Sequence, residues 1–279
     1  MHSTIDYTCS STQISGMSKN AFESYLFKDG KPMALTSLNK SDEAPFQYGH
    51  LSLKDILAVR DKRLAQTIDT VLLYNGRGFT RFNTGMESTS STGYGVAKYD
   101  NEAIPEGFRS QSGKNYTHAP LFWLSVIYLN YAEACAELGN ITQDDLDKSI
   151  NLLKDRAGLP HLNPIVGFSD PANNHGVSDL IWEIRRERRC ELMFDNDNRY
   201  WDLIRWHQLD KLDTTKYPDI ILGANVANDM DGCEANKVGK YIDGSKDGSR
   251  IYDKKHYLYP IPTGQIALNP QLAPNNPGW

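Results

Sequence analysis

Glu183 to Trp206, reading EIRRERRCELMFDNDNRYWDLIRW, gathers the residues of this chain that could do chemistry. Glu187 and Glu191 stand one helical turn apart, a spacing that puts two carboxylates on one face. Such a pair could act as general acid and base, provided one partner keeps its proton. Several Arg surround them, and nearby cations hold carboxylates ionised. Ile184, Leu192, Met193 and Phe194 alternate with the charges at helical spacing, so the segment is not a solvated charge run. Some of its charges must be buried, and buried charge has to be paired or hydrogen-bonded. The reading that follows is a structural ion-pair network of Glu187, Arg188, Glu191, Asp202 and Arg205 that locks two antiparallel helices. The acid/base pair is the competing reading.

The rest of the chain offers little for catalysis. Its seven His are scattered, with no HExxH and no i,i+4 partners. NGRG (75–78) and STGYG (91–95) lack the following GK[ST] and helix of a phosphate loop. DNDN (195–198) and DGSKDG (243–248) repeat part of a calcium loop without its closing bidentate Glu, and turn formation explains them. Cys9, Cys135, Cys190 and Cys233 are too far apart for a zinc or redox spacing. Cys135 and Cys190 fall inside helical patterns and read as buried thiols. The net charge of −5 argues against a nucleic-acid footprint. No metal ligand set, enzyme centre or cofactor site is therefore expected, with calcium the weak exception.

Three zones position these residues. Residues 1–118 are loop-rich, with short periodic pieces between 51 and 71. Residues 119–212 are helical. Pro120 opens a helix at a position that tolerates proline, with Leu121, Leu124, Tyr128, Tyr131 and Cys135 along one face. Ala132 and Ala136 permit close helix approach, and Gly139 fits a C-terminal cap. Thr142 to Asp145 is a capping box for the next helix, whose stripe is Ile150, Leu153 and Ala157, stopped by Gly158 and Pro160. Ser178 caps a helix whose face carries Leu180, Ile184, Glu187, Glu191 and Phe194. DNDN breaks it, and a second helix runs from about Arg199 to Leu209, with Asp202 in reach of Arg205. Trp123, Trp182, Trp201 and Trp206 are expected in the core. A helix pair of about 36 residues resembles a tetratricopeptide unit, which must stack on a neighbour to bury its face. Residues 213–279 are loops ending in a proline-rich tail, expected to lie extended over the helices. The uncharged stretch 115–132 is interrupted by Asn, His, Pro and Ser, and reads as a core helix rather than a membrane span.

Five segments in order resemble the SusD/RagB family of surface nutrient-binding lipoproteins. They are RDKRLAQTI (60–68), FWLSVIYLNYAEACAELGN (122–140), DRAGLP (155–160), ERRCEL with RYWDLIRW (187–206) and the terminal YLYPIPTGQIALNPQLAPNNPGW (257–279). Asp195-Asn196-Asp197 stands where that family usually has Phe-Glu-Gly, Gln265 replaces a Glu and Trp279 a Tyr. The resemblance implies an all-α fold of TPR-like helix pairs packed with long irregular loops and an extended tail. It implies one C-terminal domain over 1–279. Its implied function is non-catalytic binding of oligosaccharide at the cell surface, for delivery to a SusC-like TonB-dependent transporter. A peptide-binding, RagB-like receptor and an unrelated helical-repeat adaptor are the alternatives. The start, MHSTIDYTCSSTQ, has no basic or apolar leader region. The resemblance implies that the signal peptide, lipid-bearing Cys and first repeats of an outer-membrane protein lie upstream.

Sugar recognition needs flat aromatic faces with polar groups at their edge. YNGRGFTRFNTG (74–85) sets Tyr74, Phe79 and Phe82 beside Asn75, Arg77 and Arg81, and Tyr94 and Tyr99 follow. Tyr74, Asn75, Arg77, Phe79, Arg81, Tyr94 and Tyr99 are therefore the expected ligand residues. The opposing reading packs Phe79 and Phe82 inward and uses the Arg to cap backbone.

Overall fold

The computed structural model describes residues 16–38, 53–72, 90–98, 103–105, 108, 114, 116, 120–195, 198–227, 230–233, 235–245 and 248–279. It is mostly helical with few strands, in TPR-like helix pairs. Among the described residues three short helices come first: α1 (Lys19–Glu23), α2 (Leu53–Ala58) and α3 (Lys62–Thr67). The helical centre is α4 (Leu124–Glu137), α5 (Gln143–Asp147), α6 (Ile150–Ala157), α7 (Asp179–Glu191) and α8 (Asn198–Arg205). A three-stranded antiparallel sheet, β1 (Leu222–Asn225), β2 (Lys237–Val238) and β3 (Tyr241–Asp243), has the order β1-β3-β2. α9 (Thr263–Leu268) lies in the tail.

Local chemistry sets the helix ends. The Ser178 hydroxyl accepts the Ile181 N–H at 3.3 Å and starts α7. Thr142 and Asp145 form the reciprocal capping box of α5, Oγ1 accepting at 3.2 Å and the carboxylate accepting the Thr142 N–H at 2.8 Å. Gly158 closes α6 in the left-handed region, at φ 71°. The segment after the capping box is not one helix. Ser149 leaves helical geometry at φ −132° and ψ −96°, and its hydroxyl donates to the Asp145 carbonyl, so the chain turns between α5 and α6.

α4 packs on α7 and on the α5–α6 pair. Leu129, Ala132, Leu146, Ile150, Leu153 and Ile184 are buried together there. Ala132 is fully buried, which lets the helices approach closely. A second cluster joins α1, α2 and α3 to the sheet through Phe22, Tyr25, Phe27, Leu64, Ile68, Ala224 and Ile242. β1 is docked on the 90–98 strip, where the Ala224 N–H donates to the Thr92 carbonyl at 2.7 Å. A Cβ at Gly223 would lie 2.2 Å from that same oxygen, so only glycine permits the approach.

Several sequence expectations change. α4 starts at Leu124 rather than at Pro120, so Leu121 lies outside it, and the face marked by Leu124 and Tyr131 is turned outward, at 63% and 46% exposure. Leu129, Ala132 and Glu133 are the buried residues of α4. Apolar residues occur all around this helix, so periodicity did not single out a face. Trp201 is 58% exposed and Trp123, Trp182 and Trp206 are half-buried rather than core. Cys190 is buried, but Cys135 only partly. α7 ends at Glu191, so Phe194 sits beyond it at φ 64° and is exposed. The tail does lie against the helices as expected, Tyr259 Oη bonding Tyr200 Oη and Tyr257 Oη accepting the Leu209 N–H, each at 3.1 Å, while the Asn275 side chain also clasps it to itself at Ile261. Among the described residues no helix is long and apolar enough to cross a membrane.

Candidate functional site

The α7 charges divide by helical face. Glu187 and Glu191 turn toward α3 and α6. Asp61 caps α3 by accepting the Arg63 N–H at 2.9 Å, and its carboxylate also takes the Arg63 guanidinium, at 2.7 Å from Nη2. Arg63 Nη1 then donates to Glu187 and, at 3.0 Å, to Glu191. Lys154 stands 3.5 Å from the other Glu187 oxygen, and Arg156 pairs with Glu191. Asp61, Arg63, Lys154 and Glu187 are all buried. Burial would raise the Glu187 carboxyl, but Arg63 and Lys154 outweigh it and hold it below the ordinary range. Glu187 is thus held in its ionised form by the cations around it.

The next face of α7 binds α4 and α8. Arg188 Nε donates to both Asp202 oxygens, at 2.9 and 2.7 Å, and its Nη1 to Asn130 at 2.8 Å. Arg205 Nε also reaches Asp202, at 2.9 Å, while its Nη1 and Nη2 grip Glu133. Trp206 Nε1 donates to the same Glu133. The five residues expected as one network therefore lie in two. One joins α3, α6 and α7, and the other α4, α7 and α8.

The third face of α7 borders a cavity of about 650 Å³, together with α1, α8 and the turns at 170–174 and 208–220. That volume is ordinary for a small-ligand site. Arg185, Arg186, Arg189, Arg199, Lys211 and Arg250 line it, against the carboxylates Glu23, Asp170 and Asp219. Arg186 pairs with Asp170, and Arg185 with Glu137 at 2.9 Å. Glu23 is taken by Lys19 at 2.6 Å. Arg189 donates at 2.7 Å to the side-chain Oδ1 of Asn20, whose Nδ2 in turn donates to Asp219 at 2.7 Å. Among the described residues Arg199 and Lys211 lie within ion-pair distance of no carboxylate. Arg199 rests 5.8 Å from the Trp206 ring centre and Lys211 4.4 Å from that of Trp182. Burial, then Arg189, pushes the Arg199 guanidinium down to about 9. Burial, then Arg199 and Arg189, pushes the Lys211 ammonium down to about 7.

The residues expected to bind ligand fare differently. Tyr94 is 2% exposed and stacks on Phe22, with ring centres 4.4 Å apart, so it is a core residue and not an open platform. The alternation around it hid this, because STGYG looks like a loop while Val96 and Gly95 pair with Ile68 and Gly16. Tyr74, Asn75, Arg77, Phe79, Arg81 and Tyr99 lie outside the described residues. The sequence reading passed over Arg189, Arg199 and Lys211. Within 183–206 six Arg face six carboxylates, so no excess of charge marks them. The excess arises only in space, because Arg63, Lys154, Arg156 and Lys98 draw Glu187, Glu191 and Asp195 to other faces. Among the described residues no group of three or more His, Cys, Asp or Glu is placed to hold a metal ion.

The family model that matches the chain is the SusD family, over residues 6–279. No curated protein matches. Among solved structures, a SusD-like protein from Bacteroides fragilis NCTC 9343 aligns with a TM-score of 0.58 at 22% identity, covering 100% of this chain and 50% of its own. A SusD-like carbohydrate binding protein from the same strain aligns with a TM-score of 0.61 at 24% identity, covering 91% and 47%. This chain spans about half the length of these structures, and the likeness establishes the shared fold.

Proposed function

Because the chain belongs to the SusD family, we propose that it binds oligosaccharide at the cell surface without turning it over. The match over nearly the whole chain carries this reading. It is supported by the fold shared with a SusD-like carbohydrate binding protein. In this reading the protein sits on the outer membrane and passes glycan to a SusC-like, TonB-dependent barrel. Its charged helices serve as scaffold: buried, mutually neutralised ions fix helix positions but offer no proton to a glycosidic bond.

Affinity electrophoresis of the purified protein through gels containing plant and host polysaccharides tests this reading. Retardation by at least one glycan is expected, with no shortening of that glycan on prolonged incubation. Free migration through every gel, or release of reducing ends, would contradict it.

A further inference from the structure

We propose that the cavity between α1, α7 and α8 is a subsite for an acidic sugar, whose carboxylate or sulfate is held by Arg189, Arg199 and Lys211. This rests on the carbohydrate reading above and names the class of sugar.

Three observations carry it. The first is charge. Six cations line the cavity against three carboxylates, and the carboxylates are engaged: Glu23 by Lys19, Asp170 by Arg186, and Asp219 by the Asn20 amide. Arg189 reaches Asp219 only through Asn20, and Arg199 and Lys211 have no carboxylate partner among the described residues. Arg189, Arg199 and Lys211 are half-buried and repel one another, with Asp202 and Asp210 offsetting that only in part, and an anion brought among them relieves the repulsion.

The second is the state of the aromatic faces. Trp206 has Arg185 and Arg205 each 4.6 Å from its ring centre, and Trp182 has Lys211 at 4.4 Å. These are cation–π distances, so the rings are already engaged by charge. A neutral pyranose, which depends on stacking, gains less here than an anion does.

The third is donor geometry. A guanidinium presents parallel N–H groups that match a carboxylate or sulfate, and the Lys211 ammonium adds a point charge. Asn174 and Gln208 also line the cavity and can serve the sugar hydroxyls.

Calorimetry with charge-paired glycans tests this: oligogalacturonate against its methyl ester, and dextran sulfate against dextran. Arg199→Gln, Lys211→Met and the distant surface control Lys148→Gln are each measured. Binding of at least one acidic member is expected, tenfold or more tighter than its neutral pair. The first pair reports a carboxylate and the second a sulfate. Arg199→Gln and Lys211→Met should each weaken that binding at least tenfold while keeping the wild-type melting temperature or raising it. Neither side chain is fully buried or held in an ion pair among the described residues, so an unchanged melting temperature separates lost binding from misfolding. Lys148→Gln should bind like wild type. Equal affinity within each pair, or binding unchanged in both cavity variants, overturns the acidic-sugar proposal and leaves the carbohydrate reading standing. Binding of polyglutamate with no binding of any glycan overturns both.

Discussion

At the scale of single residues, burial and pairing decide what each charge can do. Arg63 is buried among three carboxylates, and removing it strands Asp61 and Glu187 without their main cation. Arg63→Met is expected to cost about 3–5 kcal/mol in urea denaturation, the usual effect of breaking a buried pair from one side. Trp201→Ala should change stability by less than about 1 kcal/mol, because its side chain is mostly in solvent. Lys211 gives a pH signature. It faces Arg185, Arg189, Arg199 and Asp210, and in the fold it loses its proton near 7, whereas in the unfolded chain it keeps it to about 10.5. Between those values the unfolded state binds more protons, so this group makes stability rise with pH and lose that gain as pH falls toward 7. The melting temperature of the wild type should therefore climb relative to Lys211→Met from pH 7 to 10. A constant difference would remove Lys211 from the set of depressed cations.

At the scale of elements, the parts governed by local chemistry were legible and the parts governed by tertiary choice were not. Ser178, Thr142, Gly139 and Gly158 each act at a helix end as their residue type implies. The inward face of α4 was misread because Leu, Ile and Tyr occur on every side of it, and only packing on α7 selects Leu129, Ala132 and Glu133. The sheet was not anticipated, since its strands are two to four residues long and Lys237–Val238 carries no strand pattern. Gly223 is the sensitive point of that sheet, where β1 touches the Thr92 backbone. Gly223→Ala should destabilise the protein by about 2 kcal/mol or more, because the neighbour is main chain and cannot rotate away. A thermal melt unchanged by that substitution would show that β1 is not held at this distance.

At the scale of the whole molecule, family and fold could be read because their motifs are contiguous, and the cavity could not because it is not. RDKRLAQTI and ERRCEL are recognisable as strings, yet their meaning is a contact: Arg63 meets Glu187 across 124 positions. The same long-range pairing empties one face of α7 of counter-charge and gathers Arg189 and Arg199 of the charged segment with Lys211 beyond it. The segment that first suggests an acid/base centre thus serves as scaffold on two faces and borders a cationic cavity on the third. The most direct measurement is a crystal structure of the protein with an oligogalacturonate or sulfated oligosaccharide bound. An acidic group is expected within hydrogen-bond distance of Arg199 and Lys211, between α7 and α8. A glycan bound elsewhere, with this cavity holding only solvent, would contradict it.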